Sequence, residues 1–326
     1  MNEKATVQAG RRPRLNAQHV RDYGVLALLV LLFVTLSVTT SNFLTTRNLM
    51  NILDQNAPLM LLALGTTFVI LTGAFDLSSG QVMSLTIVLG AQFSFLFSNP
   101  LIGMALALAV SIPIGAFNGY IISKFKINSF LTTLASSLII SGLALWASSG
   151  SLIDLSANST FTFIGTTRVF GVIPVSVILC LVVFVIFTLI LRYTKFGRHV
   201  YALGANAEAA RLSGVSAVRI RTAVYVLGAL AAGIAGLILA SRTGVGRIIT
   251  SADAMTLNAI AAVVIGGTSI AGGRGAMWRT VIGVLLIALL QNAFNMMGVP
   301  PYWQTIVTGF VIILAVLANA TAGRKE

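Results

Sequence analysis

One acidic side chain in an apolar setting, Asp76, has the position that most strongly suggests chemistry. It is the only acid between Asp54 and Asp154, and it lies in the sequence GAFDLSSGQ between two long apolar runs. A carboxylate at membrane depth is costly unless it is paired or hydrated, so three roles are open. It could bind and release a proton or ion, cap a helix start by accepting N–H bonds from Ser78 and Ser79, or lie at the inner water interface. The sequence favours the cap, because a single acid without a basic partner in the membrane is a weak basis for proton coupling.

No catalytic set accompanies this acid. The two histidines, His19 and His199, lie in polar segments without metal-ligand partners at helical spacing, and no serine has a histidine and an acid around it. The phosphate-binding pattern G-x-x-x-x-G-K-[ST] is absent, since no lysine follows a glycine anywhere. The single cysteine, Cys180, cannot form a disulfide within the chain or a thiolate metal site. The sequence therefore predicts a protein that is not an enzyme and binds no cofactor or metal itself.

Long uncharged stretches determine the expected fold class. The chain is 57% hydrophobic and has only 21 Lys and Arg and 8 Asp and Glu among 326 residues. Eight stretches of about 20 residues or more carry no charge, and two of them are long enough for two spans, with breaks at 98–100 and 298–301. Because only helices satisfy their backbone in lipid without closing a barrel, we expect an all-α polytopic membrane protein with about ten transmembrane helices. The predicted helices are 23–40, 56–74, 78–97, 101–123, 127–148, 172–192, 220–241, 256–272, 276–296 and 302–319.

The basic residues are distributed unevenly between the two sides of these predicted helices. With the N-terminus inside, the inner segments hold 17 of the 21 Lys and Arg, and the outer segments hold four. This asymmetry predicts cytoplasmic N- and C-termini, and it makes the net charge of +13 a signal of topology and lipid contact rather than of nucleic-acid binding. We expect a cytoplasmic tail over 1–22, a membrane domain over 23–320 and a second tail over 321–326. The four outer residues are Arg47, Arg168, Arg242 and Arg247.

Uncharged polar side chains within the spans indicate a path for a polar, uncharged solute. Two spans, 62–81 and 257–275, are also interrupted by glycine and small polar residues, and paired interrupted spans often mark a translocation site. The alternative for the glycines, including Gly115 and Gly119, is close helix packing, and the alternative for each polar side chain is a hydrogen bond between helices. The candidate path residues are Thr66, Thr67, Asp76, Gln92, Asn118, Asn258 and Thr268.

The longest polar interruption, 195–221, lies on the predicted inner side. Its sequence ANAEAARLSG predicts a short helix with Asn206 as the N-cap, Glu208 in the first turn, Arg211 near the end and Gly214 as the stop. Such a helix could lie in a groove of a cytosolic partner or on the lipid headgroups, and the residues alone leave both possibilities open.

Three motifs in combination resemble a known family. The stretches GTTFVILTGAFDLSSGQVMSL, GRHVYALGANAEAARLSGVSAVRIR and NAIAAVVIGGTSIAGGRGAMWRTVIGVLLIALLQNAFNMMG are similar to the permease subunit of ribose-type bacterial ABC sugar importers, over about residues 45–320. The resemblance implies a ten-helix inner-membrane permease that works as a homodimer with two cytosolic ATPases, which bind ATP and magnesium, and a periplasmic solute-binding protein. It also implies that a coupling helix around 205–215 docks on the ATPase. The matching coupling residues are Gly204, Asn206, Glu208, Ala209, Ala210, Arg211, Ser213 and Gly214.

One departure from the family pattern lies in the eighth predicted span. The family often has E-L-D where this chain has Thr256, Leu257 and Asn258, which removes two acids and leaves the exact sugar open. The expected function is import of a monosaccharide by alternating access, with the outer loops 149–171 and 242–255 contacting the binding protein. The alternatives are a secondary carrier coupled through Asp76 and a passive facilitator, neither of which needs an ATPase.

Overall fold

The computed structural model describes residues 17–310 and Ile313, with side chains from Gly24 onward. Residues 1–16 of the predicted N-terminal tail, the predicted C-terminal tail and the last part of the tenth predicted span lie outside the described residues, although 301–310 are helical. The helices are α1 (Ala17–Thr39), α2 (Thr46–Leu71), α3 (Ser79–Leu96), α4 (Pro100–Phe125), α5 (Ser129–Ser148), α6 (Ser159–Thr166), α7 (Val175–Tyr193), α8 (Lys195–Ala205), α9 (Ala207–Leu212), α10 (Ala217–Thr243), α11 (Ala252–Ile265) and α12 (Met277–Met296). The strands are β1 (Ile153–Asp154), β2 (Arg168–Val169), β3 (Ile173–Pro174) and β4 (Val245–Gly246).

In the part of the chain that the structure describes, seven helices are long and apolar enough to cross a bilayer, namely α2, α3, α4, α5, α7, α10 and α12. This confirms the prediction of a helical polytopic membrane protein. Two further apolar helices are shorter within the described residues, Gly24–Thr39 and α11. Helix α11 differs from its predicted range of 256–272, because it starts at Ala252 and ends at Ile265. Its 14 residues rise about 21 Å, which is less than the roughly 30 Å of a hydrocarbon core.

Local sequence signals explain where several helices begin and end. The predicted break between the third and fourth helices is confirmed, since Asn99 accepts two backbone N–H bonds at the start of α4 and Pro100 occupies its first turn. Helix α2 begins earlier than predicted, at Thr46, because the side chain of Thr45 caps it. Residues 72–78, here called the break segment, separate α2 from α3 at the first of the two glycine-interrupted spans.

Helix α10 lies at the centre of the bundle and packs against α2, α3 and α4. Small residues allow its backbone to approach its neighbours closely. A Cβ atom on Gly115 of α4 would lie 2.5 Å from the carbonyl oxygen of Tyr225, and one on Gly119 would lie 2.6 Å from the Cα of Thr222. The packing role of Gly115 and Gly119 is therefore confirmed.

The two ends of the bundle carry different structures. One end, called the α6 end, has α6 and two antiparallel strand pairs, β1 with β4 and β2 with β3. The opposite end, called the α8 end, has α8 and α9, and the span α7 connects the two. The predicted orientation assigns the α8 end to the cytoplasm.

An ion pair joins three helices at the α6 end. Arg242 Nη2 of α10 lies 2.9 Å from Asp54 Oδ1 of α2 and also donates to the Asp54 carbonyl oxygen. The hydroxyl of Ser176 of α7 donates to the same carboxylate. The two charged side chains are only 23% and 16% exposed. Removing the acid would therefore leave a largely buried guanidinium without its partner.

Replacing Asp54 by alanine is expected to lower the free energy of unfolding by about 2 kcal/mol, the usual cost of leaving a buried polar group without its partner. The buried Cys180 provides the measurement, because its reaction with a thiol dye on heating in detergent reports unfolding. Asp154→Ala is the matched control, since the Asp154 side chain is exposed and its carboxylate accepts a hydrogen bond from the nearby Ser156 N–H. Equal unfolding temperatures for the two variants would contradict the prediction.

Candidate functional site

The break segment is held inside the bundle by side chains of α5 and α10. Ser129 Oγ accepts the backbone N–H of Phe75 at 3.1 Å, and Thr133 Oγ1 accepts that of Leu77 at 3.0 Å. The hydroxyl of Tyr225 donates to the Phe75 carbonyl oxygen at 2.7 Å. Non-helical backbone within a membrane protein requires such partners, because lipid offers none. The break is therefore a specifically supported feature of the fold.

Asp76 lies in the break segment and is 3% exposed. Its Oδ1 accepts the backbone N–H of Ser78 at 2.8 Å and the hydroxyl of Ser78 at 2.6 Å. Because α3 begins at the next residue, Ser79, these bonds stabilise the turn that starts the helix, as the capping role predicts for Ser78. The side chain is buried within the bundle, and the third role considered for this acid, a position at the inner water interface, stays a prediction.

Of the predicted path residues, Asp76 and Asn118 are joined by hydrogen bonds through Ser78. Asn118 Nδ2 donates to Ser78 Oγ at 3.0 Å, and Asn118 Oδ1 is buried without a partner. Thr67 instead contacts Thr280 of α12 at 2.6 Å, which fits the alternative of hydrogen bonding between helices. The remaining candidates lie on other elements: Gln92 and Asn258 are half-buried on α3 and α11, and Thr66 and Thr268 are buried in α2 and in the loop after α11.

Glycines from three distant parts of the sequence meet beside the break segment. We call this contact, formed by Gly73, Gly204, Gly272 and Gly273, the glycine junction. The N–H of Gly273 donates to the carbonyl oxygen of Leu71 at 2.9 Å. A Cβ on Gly204 would lie 1.8 Å from that oxygen and 2.5 Å from the nitrogen of Gly273, and one on Gly272 would lie 2.7 Å from the nitrogen of Gly73. The three motifs that the sequence singles out therefore share one contact site that excludes side chains.

Helix α8 connects the glycine junction to the short helix α9. The hydroxyl of Tyr201 donates to the carbonyl oxygen of Gly275 at 2.8 Å, which fastens α8 to the loop after α11. Helix α9 then starts at Asn206, whose Oδ1 accepts the N–H groups of Glu208 and Ala209 at 3.0 and 2.9 Å. The predicted short helix and its N-cap are confirmed.

The exposed surface of α9 is polar apart from one large apolar side chain. Glu208 and Arg211 form an exposed ion pair at 2.5 Å, and the hydrogen bond and charge of Arg211 lower the pKa of Glu208. The carboxylate is therefore ionised at neutral pH. Leu212, at the end of the helix, is 75% exposed. Two of the predicted coupling residues differ in position, since Gly204 faces the junction and Ala210 is buried. The other six are exposed: Asn206, Glu208, Ala209, Arg211, Ser213 and Gly214.

Sequence reasoning missed the hydroxyl side chains of α5 that face the break segment. Ser129, Thr133 and Ser137 are four residues apart, which places them on one face of the helix. This four-residue spacing is visible in the sequence and could have identified the three side chains as one polar face of α5. Ser137 Oγ lies 3.4 Å from Oδ1 of Asp253, in the first turn of α11. That acid was missed as well, because 242–255 was predicted to be an outer loop.

A comparison with protein families assigns most of the chain. The family described as the permease component of a branched-chain amino acid transport system matches residues 48–316. The chain belongs to this permease family. The matched range contains the break segment, the glycine junction, α8 and α9, and all three motifs that carry the resemblance.

Individual relatives of this permease cover nearly its whole length. It is 38% identical over 314 residues to the ribose import permease protein RbsC of Escherichia coli, which covers 95% of this chain and 97% of that protein. It is 39% identical over 292 residues to RbsC of Bacillus subtilis, covering 89% and 90%. It is 36% identical over 296 residues to the L-arabinose transport system permease protein AraH of Escherichia coli, covering 91% and 89%. No solved structure matches the chain.

These findings confirm the resemblance to permeases of ribose-type importers. The permease is a multi-pass inner-membrane protein and a transport subunit rather than an enzyme. In such a system ATP is used by a separate subunit.

Proposed function

We propose that this permease imports a monosaccharide, a ribose-like pentose or a related sugar, from the periplasm to the cytoplasm by alternating access. The similarity to RbsC and AraH supports the sugar class. The observation that carries the transport mechanism is the connection from the exposed helix α9, through α8 and the glycine junction, to the break segment beside Asp76. A movement applied to α9 reaches a non-helical part of the membrane domain through the close backbone contacts of the glycine junction and the Tyr201 hydrogen bond.

Cytosolic ATPases supply this movement by binding and hydrolysing ATP with magnesium. Their docking surface consists of α9 and its flanks, with Leu212 as the apolar centre and the Glu208–Arg211 pair at its side. The six exposed coupling residues contact the ATPase, whereas Gly204 and Ala210 attach the coupling helix to the bundle. This arrangement requires the α8 end to be cytoplasmic, which agrees with the excess of Lys and Arg on that side.

The α6 end receives solute from a periplasmic sugar-binding protein. The segment 149–171 and the first part of 242–255 are paired there through β1 and β4, so they form one surface for docking, whereas 249–255 enters the bundle along α3. A second copy of the permease completes the transporter as a homodimer. The exposed apolar side chains of α5, such as Leu138, Ile139 and Trp146, are covered by lipid or by this second copy.

A secondary carrier coupled through Asp76 is less well supported. The carboxylate is buried and already accepts two hydrogen bonds from Ser78, so it stabilises a helix start without any exchange of ions. The length of the match to ABC importer permeases also favours the ATP-driven system.

Reconstitution in proteoliposomes tests the proposed function. The permease, its ATPase and its binding protein are expected to accumulate radiolabelled D-ribose or L-arabinose only when ATP is present on the ATPase side. Liposomes without the ATPase are expected to show no uptake. Uptake that persists without the ATPase and collapses with the proton gradient would instead support the secondary carrier, and uptake that needs neither would support a facilitator.

A further inference from the structure

Helix α11 starts in the interior of the bundle, beside the start of α3. The N–H of Gly80 donates to Thr256 Oγ1 at 2.8 Å, and a Cβ on Gly80 would lie 2.1 Å from the carbonyl oxygen of Ala252. Between the α6 end and this point the chain is non-helical and runs along α3. There the N–H of Ile249 donates to Ser84 Oγ at 3.1 Å. The first turns of two helices that point in opposite directions therefore meet inside the bundle.

Asp253 lies in this first turn of α11, within the length of the neighbouring spans. It contacts Ser137, which is the ninth of the 20 residues of α5, and Gln81, which is the third of the 18 residues of α3. Although its neighbours Gln81 and Ser137 are 7% and 5% exposed, Asp253 itself is exposed. A carboxylate at this depth is too costly to face lipid, so it faces a water-filled passage.

The side chain that supports Asp253 has an unused hydrogen-bonding atom. Gln81 Nε2 donates to Asp253 Oδ1 at 3.0 Å, and because a carboxylate only accepts, this fixes the orientation of the amide. Gln81 Oε1 is consequently left as a buried acceptor without a partner. An exposed carboxylate and a buried amide oxygen without a partner thus lie next to each other.

We infer that Asp253 and Gln81 form a binding site for hydroxyl groups of the solute as it crosses the membrane, an inference that rests on the proposed sugar import. A hydroxyl can donate to the carboxylate and to the amide oxygen. A carboxylate-bearing solute would meet repulsion from Asp253, so the site selects uncharged polyhydroxy solutes over amino acids. The family often has an acid where this chain has Thr256. Asp253 provides an acid one helical turn before that position.

The experiment uses Asp253→Asn in the complete importer with its ATPase and binding protein. Uptake of D-ribose and L-arabinose is measured together with ATP hydrolysis stimulated by the sugar-loaded binding protein. We expect uptake of the transported sugar to fall about tenfold, the factor for one lost hydrogen bond to a charged group, while the stimulated ATP hydrolysis stays unchanged. Asp253→Glu is expected to restore part of the uptake and to change the ratio of the two uptake rates, which a structural role would leave constant.

A matched pair on α5 controls for folding. Ser137→Ala removes a contact of Asp253 and is expected to reduce uptake modestly, whereas Ser136→Ala, at the neighbouring buried serine, is expected to leave it unchanged. Wild-type uptake and an unchanged ratio in Asp253→Asn would overturn the inference, and so would a parallel loss of uptake and ATP hydrolysis. If wild-type uptake responds to an imposed sodium or proton gradient and Asp253→Asn abolishes the response, the carboxylate binds a cation instead. Failure of the proposed function gives a different result, namely wild-type uptake without the ATPase.

Discussion

Replacing Gly204 by alanine is expected to uncouple ATP hydrolysis from sugar uptake. The added methyl group would lie 1.8 Å from the carbonyl oxygen of Leu71 and 2.5 Å from the nitrogen of Gly273, so backbone must move to accommodate it. Overpacking of this kind costs about 1–3 kcal/mol, which changes the balance between two conformations by roughly 5- to 150-fold. Because α9 lies outside the glycine junction, the ATPase is expected to stay bound and to hydrolyse ATP while uptake falls by at least about fivefold.

Gly142→Ala provides the control for Gly204→Ala. Gly142 is also within a helix, α5, but a Cβ there would have no atom within 4 Å. This variant is expected to transport at the wild-type rate. Co-purification with the ATPase, stimulated ATP hydrolysis and sugar uptake are measured for both proteins. Normal uptake by Gly204→Ala would contradict the role of the glycine junction, and loss of ATPase binding would mean that Gly204 acts in docking instead.

Replacing Leu212 by aspartate is expected to abolish association with the ATPase. Leu212 is 75% exposed at the end of α9, so a polar residue there leaves the fold of the permease unchanged. If this side chain is the apolar centre of the docking surface, its loss costs about 2 kcal/mol or more, and a buried carboxylate adds to the cost. The dissociation constant is then expected to rise by at least about 30-fold, which co-purification in detergent and a binding titration both measure.

Leu152→Asp is the control for Leu212→Asp, because Leu152 is similarly exposed, at 63%, but lies beside β1 at the α6 end. It is expected to retain the ATPase. If Leu212→Asp also retains it, α9 lies on lipid headgroups rather than on protein, which is the alternative that the sequence left open. Unfolding temperatures measured through Cys180 are expected to match for both variants and the wild type.

The sequence predicted those parts of the fold that depend on local composition. Uncharged runs located the spans, and Asn99 with Pro100 marked a helix boundary because both act on their own first turn. Asn206 likewise predicted the start of α9. The start of α2 was predicted too late because the charged residues Arg47 and Asp54 were taken as flanking, whereas Asp54 is neutralised by Arg242 from α10. Arg242 is distant from Asp54 in the sequence, so the composition near α2 does not reveal this ion pair.

The candidate site was predicted less completely, for the same reason. Asp76 was recognised from its isolation in an apolar run, and its contact with Ser78 is local. Its burial, however, depends on side chains of α4, α5 and α10, which no local pattern around Asp76 reveals. The position of Asp253 depends on a chain segment that returns along α3, and a loop with this composition is equally compatible with a place outside the membrane.

The short helix α11 has a consequence for the biosynthesis of the chain. At about 21 Å it is too short to enter the bilayer as an independent span, and the segment before it has polar backbone that β1 and α3 satisfy. Insertion of this segment therefore follows that of α3. The segment inserts together with α12 as a helical hairpin that packs against helices already in the membrane. A chain truncated just after Ile265 and released from the ribosome is expected to keep α11 at the membrane surface, so α12 must be present before the passage can close around its polar residues.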